Sequence, residues 1–386
     1  MAEIEPTEIG EKERGEKRKD MDEMEDKVNG IDVDDNGFRT LSSPIDYANK
    51  EILAPMVRGS NLSLRKLSLK YGADIVYSDE IIAMKIEKAV RKYNATLDTV
   101  DFIKDMGGGK TEMVFRTDRE EYGRNVFQMG TPAAVPALNA ANMVAGDVSG
   151  IDINMGCPKH FSVSGGMGAA LLSKPEVAED ILKTLRRNLT IPVTCKVRLL
   201  QTDEETVELV RRMAAAGACA VTVHCRTKDM RPHHKAVWER LKHVTAAVHE
   251  VPIILNGDVY SREDISAVKE LTGASSVMIA RGALKNPSIF RREGMLEQEE
   301  SIHDYVKYCV RHGENYQHMK YIMMQYMVET KKEPVRADAI VKSKSTRDVC
   351  AAIHEDLVQY HDAFARDTGY PTLKYEDEFP EKYRLV

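Results

Sequence analysis

Four side chains that could do chemistry lie in or just after short apolar runs: Cys157, Lys196, His224 and Arg281. Cys157 stands between a glycine and a proline, so its thiol belongs to a turn. A thiol with an ordinary pKa near about 8.5 holds its proton at neutral pH and can donate it, whereas with a base beside it the same thiol would be a nucleophile. The sequence leaves both roles open.

Lys196 lies within an apolar run that is otherwise typical of a buried strand. A buried ammonium without a partner is costly, so we expect Lys196 to face either an acid or a ligand. Beside the polar edge of a flavin, its charge would stabilise the anionic reduced ring. The alternative is a lysine that extends from a strand end to solvent.

Two loops that combine glycine with charge could hold a phosphate. Residues 256–258 (Asn-Gly-Asp) and 280–282 (Ala-Arg-Gly) each follow an apolar run. Glycine lets backbone amides approach an anion, and a guanidinium can bind two phosphate oxygens. The first loop alone is typical of a simple turn, but two such loops at one end of a barrel predict a phosphate site.

The elements that must position these residues repeat along the chain. Short, mostly β-branched runs alternate with amphipathic segments, as is typical of strands buried on both faces. The runs are 52–55, 75–77, 125–128, 151–154, 193–197, 220–224, 253–256 and 277–280. Helix-start patterns occur at 173–176, 202–205 and 261–264, and Gly217 is expected to end the second of these helices.

Eight strands separated by helices predict an α/β fold, a parallel (β/α)8 TIM barrel with its chemistry at the C-terminal strand ends. An open doubly wound sheet is the alternative, but no G-x-G-x-x-G motif follows a strand to support it. We predict a disordered acidic tail (1–43), the barrel (44–292), a smaller all-α helical domain (295–368) and a C-terminal tail (369–386). Residues 99–120 are expected to form an inserted hairpin or excursion.

Composition restricts the classes of protein to which this chain can belong. Its 386 residues contain no run of roughly 18 apolar residues, which a membrane helix needs, and the N-terminus has the features of neither a secretory signal nor a transit peptide. The six cysteines form no C-x-x-C pair, which argues against a disulfide framework or a zinc ribbon. We therefore predict no metal site and a reducing, cytoplasmic location, with a nuclear or mitochondrial pool left open.

The net charge of −6 divides unevenly along the chain. Residues 1–43 carry −7 and residues 350–386 carry −4, so the segment between them carries +5. A mildly basic body is compatible with a polyanionic partner without requiring one.

Nine collinear motifs together resemble the tRNA-dihydrouridine synthases, and within them the eukaryotic type 2 enzymes. They are ILAPMVR (52–58), YGADIVYSDE (71–80), NVFQMG (125–130), DINMGCPK (152–159), SGGMGAALL (164–172), VTCKVRLL (193–200), VTVHCRT (221–227), ILNGDV (254–259) and MIARGAL (278–284). The motifs span nearly the whole predicted barrel. The combination of the fourth with the fifth is specific to the family, whereas no single motif would be.

The resemblance implies an enzyme that binds flavin mononucleotide (FMN) and takes its reducing equivalents from NADPH or, less favourably, NADH. It implies reduction of the C5–C6 double bond of a uracil in tRNA, at D-loop position 20 for type 2 enzymes. By matching positions, FMN would be held by Pro55, Met56, Val57, Gln128, Lys196, His224, Asn256, Gly257, Asp258, Ala280, Arg281 and Gly282. Cys157 would be the general acid, Asn154 would orient the uracil and Arg226 would meet the RNA.

The chemistry of this reaction makes further demands on the chain. Hydride addition at C6 is completed by protonation of C5 from the opposite face, which a thiol above the ring can supply. The target base must leave its stack to reach a barrel mouth, and RNA affinity calls for basic residues around that mouth. Candidates are Lys159, Arg226, Lys228, Arg231, Lys331, Lys332, Lys342, Lys344 and Arg347. Taken singly, those after residue 330 are typical of a solvated surface.

Two other functions are compatible with parts of the pattern. A flavin-dependent barrel oxidoreductase that acts on a small-molecule pyrimidine would keep Lys196 and the phosphate loops but would not depend on the helical domain. A flavin-free RNA-binding or scaffolding barrel would not need the set formed by Cys157, Lys196, His224 and Arg281. The sequence leaves the oligomeric state open and is compatible with a monomer.

Overall fold

The structure, a computed structural model, describes residues 31–33, 39–41, 44–328 and 331–376. Most of the predicted acidic tail therefore lies outside the described residues. Two short strands within that segment, Ile31–Val33 and Arg39–Leu41, pair antiparallel with each other.

Eight parallel strands close into a barrel, as predicted. They are β1 (Glu51–Leu53), β2 (Ile75–Tyr77), β3 (Asn125–Gly130), β4 (Gly150–Asn154), β5 (Val193–Leu199), β6 (Val221–Thr227), β7 (Ile253–Asn256) and β8 (Ser276–Ile279). Each pairs with the next along the chain, and β8 pairs with β1. This closure excludes the open doubly wound sheet, because the ring leaves no free edge.

Two apolar clusters, one on each face of the barrel wall, explain why the strands are continuous apolar runs in the sequence. One cluster fills the barrel interior and includes Tyr47, Ile52, Tyr77, Val126 and Ile254. The other is much larger, lies between the strands and the surrounding helices, and continues into the C-terminal helices. Strands buried on both faces need apolar residues at almost every position.

Helices surround the barrel and follow it. They are α1 (Leu62–Lys70), α2 (Ala83–Ile86), α3 (Ala134–Val144), α4 (His160–Ser164), α5 (Pro175–Asn188), α6 (Asp203–Ala215), α7 (Leu241–Ala247), α8 (Arg262–Thr272), α9 (Arg281–Lys285), α10 (Gln298–Arg311), α11 (Tyr316–Ile322), α12 (Pro334–Lys342), α13 (Thr346–Ile353) and α14 (Glu355–Thr368). In the part of the chain that the structure describes, no helix has both the length and the apolar character required to cross a membrane.

Local sequence signals set most of the helix boundaries. Two of the three predicted helix starts, at 202–205 and 261–264, form capping boxes. At the third, the Ser173 hydroxyl donates to the carbonyl of Ala170 and caps no helix, because Ser173 still belongs to the preceding 3-10 turn. Gly217, with a φ of 102°, follows α6 as predicted.

The predicted insertion is a hairpin formed by strands Thr99–Gly107 and Lys110–Thr117. Consecutive glycines with positive φ form its turn. Strand Val90–Asn94 extends the hairpin into a sheet, and Tyr375–Glu376, from the predicted C-terminal tail, adds a fourth strand. The chain after the barrel therefore returns to cover the insertion.

The C-terminal helices share one core with the barrel. The periodic apolar residues predicted on α10 are buried there, among them Ile302, Tyr305 and Val306. The buried methionines Met319 and Met323 belong to the same core, as expected for packing residues. Since α10 packs against α1, these helices are held against the barrel beside its mouth.

Candidate active site

The alternation of side chains along the strands brings one set of polar groups into the barrel. Residues two apart on a strand face the same side, so Asn256 points inward because Ile254 belongs to the interior cluster. The same spacing directs inward Gln128, Asp152, Asn154, Lys196, Arg198, His224 and Arg226. The predicted residues of five strands therefore converge on one space at the C-terminal end of the barrel.

Asp152 on β4 forms the floor of this space. Its carboxylate accepts hydrogen bonds from Gln128 Nε2 at 2.8 Å and from Thr194 Oγ1 at 2.6 Å. Burial raises the pKa of Asp152 to about 6, although both bonds oppose the rise. Gln128, which was predicted to line the flavin ring, is thus fixed by a bond from its amide nitrogen to the floor.

Cationic side chains surround the space next to Asp152. Burial lowers the pKa of His224 well below its ordinary value, and Lys196, Arg198 and Arg226 reinforce the effect, so the imidazole is neutral at neutral pH. Arg226 Nη1 lies 3.1 Å from His224 Nε2. Because arginine can only donate, Nε2 accepts and the imidazole proton lies on Nδ1.

Lys196 is the least compensated of these cations. Burial and the charge of Arg198 together lower its pKa to about 8, and Asp152 opposes the change. Within the described residues, the Lys196 ammonium forms no hydrogen bond or ion pair. Of the two partners predicted for Lys196, Asp152 is an acid close enough to raise its pKa, and the ammonium keeps its hydrogen-bond donors for a ligand.

Asp258 joins the two predicted site arginines. Its carboxylate accepts from Arg226 Nη2 at 2.5 and 2.6 Å and from Arg281 Nη2 at 2.7 Å. Arg226 also donates from Nε to the carbonyl of His234, and only 3% of its surface is exposed. Arg226 is therefore part of the wall next to the predicted cofactor residues, so its predicted contact with RNA would have to be made from a buried position.

The loops after β7 and β8 approach each other closely. Asn256 Nδ2 donates to the carbonyl of Met278 at 2.8 Å, which joins the two strand ends. A side chain at Gly282 would lie 2.3 Å from the carbonyl oxygen of Val259, so this approach requires glycine. Ala280 immediately precedes α9, the short helix that begins at Arg281. The geometry brings together the two loops predicted to hold a phosphate.

The remaining predicted cofactor residues lie in well-fixed turns. The Ser60 hydroxyl donates to the carbonyl of Ala54 at 2.7 Å and accepts from the Met56 amide at 3.0 Å, so it closes the turn that contains Pro55, Met56 and Val57. The carbonyl of Gly257 accepts from the indole nitrogen of Trp238 at 2.7 Å.

Cys157 lies on the loop after β4, and three neighbours determine the shape of this loop. Asn154 Oδ1 accepts from the amides of Gly156 at 2.8 Å and Cys157 at 3.1 Å. Arg198 Nε donates to the carbonyl of Gly156 at 2.6 Å, and the Cys157 carbonyl accepts from the Ala169 amide at 2.9 Å. Asn154, which was predicted to orient the uracil, thus also holds the cysteine in place.

Two residues near Cys157 were not predicted as site residues. Arg198 could have been found from the alternation, because it lies two residues after Lys196. Glu80 follows β2, the one strand end without a predicted candidate. Burial raises the pKa of Glu80, and burial together with the charge of Glu80 raises the pKa of the Cys157 thiol. The thiol consequently holds its proton at neutral pH.

The charge of the site fits the FMN that the sequence resemblance implies. The cations of Lys196, Arg198, Arg226 and Arg281 all act on His224, and burial disfavours the charged form of Lys196. The Thr222 hydroxyl is buried without a partner among the described residues. An anionic ligand with several acceptors would satisfy both groups, and FMN carries a phosphate and a polar ring edge.

The predicted RNA contacts divide into two groups. Lys159, Lys228 and Arg231 are exposed on loops after β4 and β6, so they border the mouth of the barrel. Residues 331, 332, 342, 344 and 347 are exposed in the C-terminal helical region. In that second group Lys342 pairs with Asp338, and Arg347 pairs with Asp362.

Comparison with known proteins identifies one matching family and several relatives. The sequence profile of the family described as Dihydrouridine synthase (Dus) matches residues 52–349. The tRNA-dihydrouridine(20) synthase (NAD(P)+) of Schizosaccharomyces pombe is 38% identical over 301 residues, which are 76% of this chain and 62% of that protein. The protein of the same name from Saccharomyces cerevisiae is 39% identical over 258 residues, 64% of this chain and 67% of that protein.

A human relative matches over a larger share of its own length. The tRNA-dihydrouridine(20a/20b) synthase (NAD(P)+)-like protein of Homo sapiens is 32% identical over 281 residues, 71% of this chain and 81% of that protein. The present chain spans less than two thirds of the fission-yeast relative.

Proposed function

The chain belongs to the dihydrouridine synthase family, and from this premise we propose that it reduces the C5–C6 double bond of a tRNA uridine, at D-loop position 20, to give dihydrouridine. The two yeast relatives that are 38% and 39% identical carry that position in their names. Both names also contain NAD(P)+, which supports NADPH, or NADH, as the reductant. FMN is the proposed bound cofactor.

One observation carries the mechanistic part of the proposal: Cys157 lies on a loop held by four hydrogen bonds beside a strongly cationic space, where the pKa of its thiol is raised. Burial and the charge of Glu80 both favour the thiol over the thiolate. A nucleophilic cysteine would require the opposite, a lowered pKa. Of the two roles that the sequence leaves open, the structure therefore supports the proton donor.

FMN, when bound, would supply the hydride for C6 of the uracil. Lys196 and His224 would hold the polar edge of its ring, and Arg281 would hold its phosphate together with the loops after β7 and β8. Cys157 would deliver the proton to C5, so that the Sγ–H bond breaks as the C5–H bond forms. Asn154 and Arg198 would keep the thiol in place, since both bond to its loop.

We also propose that tRNA is bound jointly by the barrel mouth and the C-terminal helical region, 295–368. The exposed cations Lys159, Lys228 and Arg231 border the mouth, and the helices pack beside it. Phosphate contacts of this kind would provide affinity that does not depend on sequence. The proposed location of the enzyme is the cytoplasm.

The proposal is tested by incubating unmodified tRNA with the purified, flavin-loaded protein and NADPH, and by mapping dihydrouridine at single-nucleotide resolution. We expect one product at position 20. Cys157→Ala should abolish turnover and leave flavin bound, whereas Cys219→Ala, a matched change at a partly buried cysteine outside the site, should leave turnover unchanged. Normal turnover by Cys157→Ala would show that the proton comes from another group.

A small-molecule pyrimidine is the second candidate substrate, because the same cationic space could hold FMN beneath a free base. The same preparation is therefore assayed with uracil and uridine. NADPH oxidation that depends on a free pyrimidine, with no dihydrouridine in tRNA, would replace the tRNA proposal with this one.

A further inference from the structure

The carboxylate of Glu80 is buried without a bonding partner. Neither of its oxygens has a hydrogen-bond partner among the described residues, and the neighbouring Ser162 hydroxyl also lacks one. Burial raises the pKa of Glu80, and the rise is opposed by the Cys157 thiol, the Asn154 amide and the Ser162 hydroxyl, which lie around the carboxylate. A buried acid with unused acceptors is costly, so its retention calls for an explanation.

The backbone places Glu80 there by two specific devices. Tyr77 pairs with Val126 and Ile81 pairs with Met129. Three residues (78–80) therefore lie between these pairs on one side, opposite two residues (127–128) on β3. Such a bulge redirects the side chains that follow it. In addition, a side chain at Gly130 would lie 2.7 Å from Glu80 Oε1, so the carboxylate occupies space that the glycine leaves open.

A cleft connects Glu80 with solvent. It has a volume of about 860 Å³ and is lined by the segment 79–82, by the insertion hairpin and by residues 313–316 of the C-terminal helical region. Glu80 is thus part of the wall of this cleft, while its two carboxylate oxygens are themselves buried beside Cys157.

We propose that Glu80 returns a proton to Cys157 after each reduction and takes its own proton from water in the cleft; this inference rests on the function proposed above. When the thiol has protonated C5, a thiolate and a carboxylate are left side by side. Two adjacent negative charges repel, which raises the proton affinity of the pair, so the Glu80 carboxylate takes up one proton from water in the cleft. The Glu80 O–H bond then breaks as the Sγ–H bond of Cys157 re-forms, and Glu80 returns to the carboxylate with which the cycle began.

The first test measures the thiol alone and does not depend on any activity toward tRNA. The flavin-loaded protein is treated with iodoacetamide between pH 6 and 10, and modification of Cys157 is followed by peptide mass spectrometry. Removal of the neighbouring charge in Glu80→Gln should lower the pKa of the thiol by about one unit or more and increase the thiolate fraction at pH 8 about tenfold. Because nucleophilicity falls with pKa, alkylation should become about threefold faster.

Two further variants make this measurement specific. Glu80→Asp withdraws the carboxylate by one methylene and should give an intermediate rate. Glu112→Gln removes the same charge from another part of the cleft wall, where Glu112 pairs with Lys85, and should leave the rate unchanged. Equal alkylation rates for wild type and Glu80→Gln would overturn the proposal. If Glu80→Gln does not fold, the wild-type curve decides, since a thiol that titrates at or below about 8.5 has no charged neighbour of this kind.

The second test separates one turnover from many. The thiol of Glu80→Gln is protonated before the reaction, so a single turnover on tRNA should proceed at the wild-type rate, followed by a slow steady state reduced about tenfold or more. Glu80→Asp should restore part of the steady-state rate. Equal reduction of both phases would mean that Glu80 only shapes the loop. A wild-type protein that does not act on tRNA would remove the proposed function, and the alkylation result would still show whether Glu80 controls the thiol.

Discussion

Replacing Lys196 with methionine should make the flavin-free protein more stable at neutral pH while it removes flavin-dependent activity. The Lys196 ammonium is half-buried in the barrel without a hydrogen bond from the described residues, and desolvation lowers its pKa from 10.5 to about 8. Methionine has a similar length and no charge to desolvate, so it avoids the cost of burying the ammonium.

The size of the effect follows from linkage. A shift of about 2.5 units at about 1.36 kcal/mol per unit gives an upper bound of about 3 kcal/mol in the free energy of unfolding. Between the folded-state pKa of about 8 and the unfolded-state value, the unfolded chain binds more protons than the folded chain. Stability of the wild type should therefore rise with pH in that window, whereas below pH 8 the full cost of the buried charge is present.

The assay is urea denaturation of flavin-free wild type and Lys196→Met at pH 7 and at pH 10, with flavin content and turnover measured in parallel. We expect the variant to be more stable by about 1–3 kcal/mol at pH 7 and the difference to shrink by pH 10. Lys196→Arg, which keeps a charge that cannot be neutralised, is the matched control and should show no such pH dependence. A variant that is less stable than the wild type at pH 7 would refute the reasoning, because the ammonium would then have a partner worth more than its desolvation.

Three further predictions concern other parts of the molecule. Arg65 on α1 and Glu121, in the 3-10 turn 119–121 that follows the insertion hairpin, form a buried ion pair at 2.7 Å. Arg65→Met should lower the free energy of unfolding by about 3–5 kcal/mol in urea denaturation, and restoration by a second apolar change at Glu121 is the control. Burial raises the folded-state pKa of Asp152 to about 6, so its contribution to stability falls as pH rises from about 4 to about 6. Asp152→Asn should remove that pH dependence in denaturation curves taken across this range. An unchanged pH dependence would contradict the assignment. Charge reversal at Lys159 or Lys228 should weaken tRNA binding several-fold. The slope of the logarithm of the dissociation constant against the logarithm of the salt concentration should decrease by about one for each phosphate that the variant no longer neutralises. An unchanged slope would place the RNA elsewhere.

The barrel was predictable because its signals are local and repeated. A strand buried on both faces needs an apolar run, and a helix between strands needs start and stop residues, so the order of elements can be read along the chain. The eight strands occur where the runs predicted them, and the capping boxes at 202–205 and 261–264 form. Since chemistry in a barrel gathers at the C-terminal strand ends, the order of elements also predicted that Cys157, Lys196 and His224 lie at one end of the molecule.

The tertiary structure decided what each of these side chains touches. No sequence spacing indicates that Arg226 is bound by Asp258 inside the wall, since Asp258 follows a different strand. The helix predicted to start within 173–176 does begin at Pro175, but the capping role of Ser173 was wrong, because Ser173 still belongs to a 3-10 turn that the capping pattern does not encode.

The position of Glu80 shows most clearly what the sequence pattern could not predict about the site. Its position depends on one extra residue between the pairs Tyr77–Val126 and Ile81–Met129 and on the space left by Gly130, two features that the apolar pattern of the strands does not record. Its effect on Cys157 arises because the loops after β2 and β4 meet in space, and only then do burial and a neighbouring charge raise the pKa of the thiol. The sequence by itself determined which residues are available and at which end of the barrel they lie, whereas the proton affinity of the thiol is a property of the folded structure, because charge and desolvation act through space and not along the chain.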